Sequence, residues 1–222
     1  MSAPSGPQRP AIVFAGGDPP PASVADHLAH DVLVIAADSG LEHALALGRD
    51  VELVVGDFDS VDPQMLDRVE AAGATVERHP VEKDATDLEL ALVAALSRGA
   101  PSITVVGGYG GRYDHLLANA LVLASPRFEA VAIDAWIDTA HLTVVRDRTE
   151  LSGAPGDLCT LLALGGPAQG ITTTGLRYPL DDDQLLPGST RGVSNELVDR
   201  VAMVTVRTGV VLAIQPHALE EG

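Results

Sequence analysis

Short apolar runs that end in Gly or Asp alternate with segments of helical spacing from Ala11 to about Ser125. The runs are predicted strands, and they read AIVFAGG, VLVIAADSG, VELVVGDFDS, ATVERHP and ITVVGGYGG. The segments between them are predicted helices, and they read SVADHLAH, LEHALALG, DPQMLDRVEAAG, ATDLELALVAALSRG and YDHLLANALVLA. Their lengths suit crossovers between parallel strands. The pattern therefore predicts an α/β domain with a parallel sheet flanked by helices.

The pattern changes after Pro126, where helical spacing gives way to β-branched runs such as HLTVV, QGITTTG and VAMVTV. Gly, Pro and Asp turns separate these runs, so we expect a second, smaller all-β domain. The join lies within AVAIDAWIDTAHLTVV, which is extended throughout. We place it so that the domains comprise residues 1–135 and 136–222.

Composition narrows the classes of function. The chain has 222 residues and 46% hydrophobic content, enough for a sizeable core, and its formal net charge is -17. A surface this acidic disfavours binding to nucleic acid or to an anionic membrane. Cys159 is the only cysteine, which excludes an intrachain disulfide and a thiolate zinc cluster. The start of the chain lacks the features of a signal peptide, and no apolar run is long enough to span a bilayer, so we expect a cytoplasmic protein.

Polar residues follow the predicted strands at the sheet edge where ligands of open α/β proteins bind. Asp38 and Ser39 come directly after VLVIA, and Asp57 and Asp59 follow VELVV. Two carboxylates two residues apart are able to share one hard cation such as Mg²⁺.

A second charged motif, EKDATDLELA, follows the fourth predicted strand. Asp84 and Asp87 stand about one helical turn apart there, with Lys83 beside them at the helix start. A helix N-terminus with a lysine suits phosphate, whereas the two carboxylates would repel it without a metal ion. The mixture of charges indicates a metal–phosphate complex.

Both acidic motifs also have a purely structural interpretation as helix starts. Asp59 or Ser60 would cap the helix that begins near Asp62, and Thr86 and Asp84 would be ordinary first-turn residues of the next helix. The residues alone do not decide between capping and catalysis.

The segment GGYGGRYDH follows the strand ITVV, and its glycines, Gly108 and Gly110 among them, let the backbone approach a ligand closely. It is not a Walker A loop, since no GK[ST] follows, and Tyr113 replaces the third glycine of a dinucleotide fingerprint. Arg112 is suited to a bidentate phosphate contact. Asp114 and His115 open the next helix, where His115 is either a ligand contact or a helix-start residue.

The motifs ADSG, GDFDS, EKDATD and GGYGGRYDH, in this order and spacing, resemble the motif set of thiamine pyrophosphokinases. The segment GLRYPLDDDQLLPGSTRGVSNEL resembles that family's GLKYPL stretch and its terminal SxSNE segment. One departure is that Ser189 and Thr190 are followed by GVSNE where the family has a serine pair. The resemblance covers nearly the whole chain.

The resemblance implies a Rossmann-like ATP-binding catalytic domain followed by a β-sandwich thiamine-binding domain, in a homodimer with active sites between subunits. It implies that thiamine attacks the β-phosphorus of ATP with Mg²⁺ present, giving thiamine diphosphate and AMP. No general base is assigned among the carboxylates. The implied catalytic residues are Asp57, Asp59, Lys83, Asp84, Asp87 and Arg112, of which the four aspartates surround the metal. The implied ATP-side residues are Asp38, Ser39, Thr86, Gly108, Gly110, Asp114 and His115, and the thiamine-side residues are Ser189, Ser194 and Asn195.

Two other functions fit parts of the pattern. One is a pyrophosphokinase for another alcohol, such as a hydroxymethylpterin, although GLRYPL and GVSNE disfavour it. The other is a catalytically silent sensor of nucleotide or thiamine diphosphate, which the presence of every charged motif position disfavours. We expect no functional role for His27, His43 and His141, and we expect Trp136 to be a core residue rather than a stacking platform.

Overall fold

The computed structural model describes residues 8–220. These residues form two compact units, one of residues 8–119 with 130–138 and one of residues 120–129 with 139–220. The domain boundary that we placed at 135/136 stays a prediction. Within the described residues, no helix combines the length and the apolar character that crossing a bilayer requires.

The first unit is built on a parallel sheet in the order β4-β3-β2-β1-β5-β6. The strands are β1 (Ala11–Phe14), β2 (Leu33–Ala37), β3 (Leu53–Gly56), β4 (Thr75–Arg78), β5 (Ser102–Val106) and β6 (Ala132–Ile137). The helices are α1 (Gly40–Ala46), α2 (Pro63–Ala71), α3 (Asp87–Ser97) and α4 (Tyr113–Leu123), whose residues 113–119 belong to this unit. The predicted α/β domain with a parallel sheet is confirmed.

The strand order places a binding crevice next to β1. The chain passes from β1 through β2 and β3 to β4 in one direction, and β5 then pairs with the other side of β1. Val13 accordingly lies opposite Ile35 on one side and Val105 on the other. Such a reversal of strand order opens a crevice at the carboxyl ends of the two strands that flank it, here β1 and β5.

The residues before α2 explain where that helix begins. The Asp62 side chain accepts a hydrogen bond of 3.0 Å from the Gln64 N–H, and Pro63 occupies the first helical position of α2. The interpretation of Asp59 or Ser60 as the cap of this helix is therefore wrong.

The segment SVADHLAH, which we predicted as a helix, forms only a short 3₁₀ helix, Ala22–His27.

Trp136 belongs to the core of the first unit, as we expected. It is buried, and its ring packs against the ring of His27 with 4.7 Å between centroids. His27 is thus a packing partner of the tryptophan.

Gly40 allows α1 to lie directly on β1. A Cβ atom at this position would lie 2.1 Å from the Phe14 carbonyl oxygen, which is backbone and has little freedom to move. We expect Gly40→Ala to lower the free energy of unfolding in urea by about 1–3 kcal/mol or more, because it overpacks the helix–sheet contact. Gly166→Ala is the control, since nothing lies within 4 Å of a Cβ there. Equal unfolding free energies for both variants would contradict this account of the close approach.

The second unit is antiparallel, with β7-β13-β9-β12-β8 as its main strand order. Its strands are β7 (Ala140–Val145), β8 (Arg148–Ser152), β9 (Leu158–Thr174), β10 (Asp183–Leu185), β11 (Asn195–Glu196), β12 (Val201–Thr205) and β13 (Thr208–Gln215). The long strand β9 pairs with β13 in its first part and with β12 over its last three residues, so it joins two antiparallel layers. A single apolar cluster draws on both layers, with Leu161 and Val211 from one and Ala202 and Val204 from the other. The predicted all-β second domain is confirmed.

Candidate active site

An open cavity of about 240 Å³ lies at the carboxyl ends of β1, β2 and β5, within the first unit. The loop after each of these strands and the starts of α3 and α4 contribute to its lining. Eight of the residues predicted for the ATP side or for catalysis line it: Asp38, Ser39, Thr86, Asp87, Gly108, Gly110, Arg112 and His115. The motifs ADSG, EKDATD and GGYGGRYDH therefore converge on one cavity, whereas GDFDS contributes no residue to its lining.

Two glycine-containing loops are joined at this cavity by backbone hydrogen bonds. The Gly108 N–H donates to the Gly16 carbonyl at 2.9 Å, and the Asp18 N–H donates to the Tyr109 carbonyl at 2.6 Å. The pairing of β1 with β5 thus continues past the ends of both strands. Gly17 has φ +119°, and a Cβ there would lie 2.1 Å from the Tyr109 oxygen, so only glycine fits.

Sequence analysis missed the first of these loops. Gly16 and Gly17 follow the strand AIVFA directly and line the cavity. The available signal was a glycine pair at the end of a fully buried strand, which is where close backbone approach to a ligand is expected.

Asp38, Asp57 and Asp59 form a cluster of three carboxylates in which one oxygen of each lies within 4.8 Å of the others. The pairing of β2 with β3 produces this proximity, since the Asp38 N–H donates to the Val55 carbonyl at 2.9 Å and extends the ladder by one residue. Asp57 then accepts a hydrogen bond of 3.3 Å from the Asp59 N–H, which turns the chain back toward Asp38. Three carboxylates at this spacing are a donor set for a hard divalent cation.

The Asp38 carboxyl lies in a partly buried and negatively charged environment. Burial raises its pKa, and the nearby carboxylates of Asp87, Asp57 and Asp59 raise it further. Its Oδ1 atom is fully buried and has no hydrogen-bond partner. The backbone of Asp38 is also held in the left-handed region, at φ +47°. A left-handed backbone and a buried carboxylate oxygen without a hydrogen-bond partner are typical of a site that is organised for a ligand.

Lys83 connects the cluster to the start of α3. Its ammonium group lies 2.9 Å from Asp57 Oδ2 and 2.8 Å from Asp87 Oδ1, and the three side chains are only 13–25% exposed. Burial opposes the charge of Lys83, but hydrogen bonds to Asp87 and Asp57 raise its pKa overall. The hydrogen bond from Lys83 in turn lowers the pKa of Asp57. Lys83 and Asp57 are therefore both charged at neutral pH.

The structure groups the acidic residues differently from the set predicted to bind the metal. Asp57 and Asp59 lie with Asp38, which we had placed on the ATP side, while Asp87 pairs with Lys83 and Asp84 is exposed to solvent. The assignment of Asp84 and Asp87 as metal ligands stays a prediction.

Arg112 and Thr86, which line the cavity, form hydrogen bonds with other groups of the chain. Arg112 makes a bidentate ion pair with Asp114, with contacts of 2.9 and 2.6 Å, and this contact lowers the pKa of Asp114. Thr86 is the N-cap of α3 and accepts a hydrogen bond of 3.2 Å from the Glu89 N–H, so the capping interpretation of Thr86 is correct. Asp84 lies before this cap and outside the helix, so the interpretation of Asp84 as a first-turn residue is wrong. Arg112, Thr86 and His115 nevertheless line the cavity.

Two buried polar side chains support the cavity loops, and sequence analysis assigned neither to them. Asn119 Nδ2 donates to the Gly108 carbonyl at 2.9 Å, and His43 Nδ1 donates to the Ala15 carbonyl at 2.9 Å. We had expected no role for His43. The signal for Asn119 was a polar residue within the apolar run LLANALVLA, and for His43 a polar residue that precedes the apolar run ALAL.

The residues predicted for the thiamine side all lie in the second unit. Ser194 has φ +57°, and its N–H donates to Thr160 Oγ1 at 3.1 Å. Ser189 Oγ accepts a hydrogen bond of 3.3 Å from the Arg191 N–H. Asn195 is buried, and its side chain is bonded to the backbone of Tyr178. Their contact with substrate stays a prediction.

Comparison with known proteins decides the family. The description "Thiamin pyrophosphokinase, catalytic domain" matches residues 24–134, and "Thiamin pyrophosphokinase, vitamin B1 binding domain" matches residues 144–211. The chain belongs to the thiamine pyrophosphokinase family. The family resemblance of the sequence motifs is therefore confirmed.

Relatives and solved structures agree with this assignment. The chain is 28% identical over 193 residues to thiamine pyrophosphokinase of Bacillus subtilis (strain 168), covering 82% of this chain and 86% of that protein. It is 28% identical over 164 residues to thiamine pyrophosphokinase 1 of Oryza sativa subsp. japonica, covering 69% of this chain and 62% of that protein.

The crystal structure of thiamine pyrophosphokinase from Bacillus subtilis superposes with a TM-score of 0.81 at 27% identity, covering 93% of this chain and 98% of that one. A thiamin pyrophosphokinase family protein from Enterococcus faecalis gives a TM-score of 0.76 at 28% identity, with the same coverage of both chains. The similarity thus extends over both units of the chain.

Proposed function

We propose that the protein transfers the diphosphate of ATP to the hydroxyl group of thiamine, giving thiamine diphosphate and AMP. The observation that carries the proposal is the cluster of Asp38, Asp57 and Asp59, which shares Asp38 with the lining of the cavity. The family assignment supplies the substrates, because the two matched descriptions cover a catalytic and a vitamin B1 binding domain.

The donor set of the cluster fits Mg²⁺, which prefers carboxylate oxygens and retains water ligands. Asp38, Asp57 and Asp59 would hold the ion, and the buried, unpartnered Oδ1 atom of Asp38 supports this assignment. When bound, Mg²⁺ neutralises charge on the ATP phosphates. The roles of Asp84 and Asp87 as further ligands belong to the same proposal.

The residues around the ion would act mainly by alignment and by charge. The glycine-rich loops at residues 16–17 and 107–111 allow the phosphates to approach the backbone, and Arg112 is placed to exchange its contact with Asp114 for a phosphate. Lys83 fixes Asp57 and keeps a positive charge beside the cluster. A loose phosphoryl-transfer transition state makes little demand on a general base, and no carboxylate is assigned that role.

The acceptor side of the proposal places thiamine at the segment that contains Ser189, Ser194 and Asn195, within the matched vitamin B1 binding domain. The acidic chain suits a substrate whose thiazolium ring carries a permanent positive charge. A homodimer is proposed on family likeness.

The test is to incubate the purified protein with ATP, Mg²⁺ and thiamine and to separate nucleotide and thiamine products by chromatography. We expect AMP and thiamine diphosphate in equal amounts, and neither when Mg²⁺ is removed with a chelator. ADP with thiamine monophosphate would contradict attack at the β-phosphorus. ATP binding without product would favour another acceptor, with a hydroxymethylpterin tried next, or a silent sensor.

A further inference from the structure

The side chain of Asn195 makes three hydrogen bonds within its own chain. Only 5% of the residue is exposed. Its Oδ1 atom accepts hydrogen bonds from the N–H groups of Tyr178 at 3.0 Å and of Glu196 at 2.9 Å, and its Nδ2 atom donates to the Tyr178 carbonyl at 2.8 Å. Both lone pairs of the carboxamide oxygen and one of its two N–H donors are thereby used.

These contacts complete a short antiparallel pairing between residues 176–178 and 195–197. Leu176 is bridged to Leu197, and the Arg177 N–H donates to the Glu196 carbonyl at 2.9 Å. In this register Tyr178 stands opposite Asn195, whose backbone already pairs with Cys159 of β9. The carboxamide, which has the same donor and acceptor as a peptide group, supplies the hydrogen bonds to Tyr178 instead.

The segment held in this way carries exposed side chains. Tyr178 is 61% exposed although both its N–H and its carbonyl are bonded to Asn195. Pro179 follows Tyr178 and has no N–H, so it cannot donate a backbone hydrogen bond to a neighbouring strand. Ser194, on the other side of Asn195, is held in the left-handed region by its bond to Thr160.

We propose that Asn195 is a positioning residue for acceptor recognition, which fixes the backbone of Tyr178 while Tyr178 and Ser194 face the acceptor. This role rests on the proposed function and replaces direct contact between Asn195 and thiamine. The physical reason is that a buried carboxamide with three hydrogen bonds to backbone groups has one donor left, whereas the side chains of Tyr178 and Ser194 are exposed.

The hydrogen bonds by which Asn195 holds the backbone of Tyr178, here called the clamp, are tested without any activity measurement. Trypsin cleaves after arginine, and the Arg177–Tyr178 bond lies inside the clamp with Arg177 exposed. Asn195→Ala is expected to speed cleavage of the Arg177–Tyr178 peptide bond about tenfold, because two hydrogen bonds to Tyr178 are lost. Gln215→Ala is the matched control, since Gln215 is a buried amide of the same unit that donates to the Ser152 carbonyl at 2.8 Å. Equal cleavage at Arg177 in both variants would overturn the clamp.

The positioning role is tested by steady-state kinetics with thiamine and ATP varied separately. We expect Asn195→Ala to raise the KM for thiamine about tenfold while the KM for ATP stays within about twofold of the parent value. A role in stability alone would lower the active fraction and hence kcat, and it would leave both KM values unchanged. An unchanged thiamine KM together with faster cleavage would overturn the role in recognition.

Asn195→Asp separates positioning from direct contact and also serves if the alanine variant does not fold. An aspartate keeps both acceptor contacts but faces the Tyr178 carbonyl without a donor. Positioning therefore predicts a raised thiamine KM, whereas direct contact with a cationic substrate predicts an equal or lower KM. If the parent protein makes no thiamine diphosphate, the proposed function fails, and the trypsin experiment still decides whether the clamp exists.

Discussion

Asp57→Asn is expected to reduce the rate of AMP formation by at least about a hundredfold, because it removes a charged oxygen from the proposed cation site. The substitution also removes the charge that faces Lys83, which is 2.9 Å away in the parent. Lys83 keeps its ion pair with Asp87, so it is not left as an isolated buried charge. The protein should therefore remain folded, with Tm lower by a few degrees. The measurements are kcat at saturating Mg²⁺ and the thermal unfolding curve.

Asp62→Asn is the matched control for this prediction. Asp62 is only five residues from Asp57, and Asp62→Asn is the same chemical change. The Asp62 side chain, however, caps α2 and lies outside the carboxylate cluster. Asparagine caps helices about as well as aspartate, so activity and stability should be close to those of the parent. Parent-like turnover in Asp57→Asn, or an equal loss in Asp62→Asn, would contradict the metal-ligand assignment.

The fold was predictable because each strand of the first unit carries its own signal. The β1 sequence AIVF is buried at all four positions, and such continuous apolar runs are typical of parallel strands covered on both faces. The predicted helix SVADHLAH failed for a local reason. In the 3₁₀ helix that forms there, only Val24 is buried, which is too little apolar surface to hold a full α-helix against the sheet.

The site was only partly predictable because strand neighbours are not encoded locally. Asp38 joins Asp57 and Asp59 only because β2 pairs with β3 in one particular register. The motifs located all three residues at strand ends, but they did not show which carboxylates would share a cation. Asn119 and Asn195 were harder still, since their partners are backbone groups 11 and 17 residues away.

Asp38→Asn is expected to stabilise the protein without Mg²⁺ and to remove most of the stabilisation that Mg²⁺ gives. The folded state raises the pKa of Asp38, so it binds a proton more tightly than the unfolded chain does. The resulting cost to stability is fully present above the folded-state pKa, and it disappears as the pH falls toward 3.8, the ordinary value for aspartate. An uncharged asparagine also tolerates the left-handed backbone at this position. With a chelator present at neutral pH, the variant should therefore unfold at a temperature a few degrees higher than the parent.

Adding Mg²⁺ should then invert the order of the two proteins. At a hundredfold excess over Kd, a ligand that binds only the folded state stabilises it by about 2.7 kcal/mol, and the parent should gain this while the variant gains little. Turnover of the variant should fall with its affinity for Mg²⁺. Asp67→Asn, an exposed change on α2, controls for the loss of one negative charge from a chain of net charge -17. If this control matched the metal-free gain, or if Mg²⁺ stabilised Asp38→Asn as much as the parent, Asp38 would not be a ligand. If Asp38→Asn is more stable than the parent without Mg²⁺ and less active with it, the Asp38 carboxylate lowers the stability of the fold. It is then retained because it binds the cation.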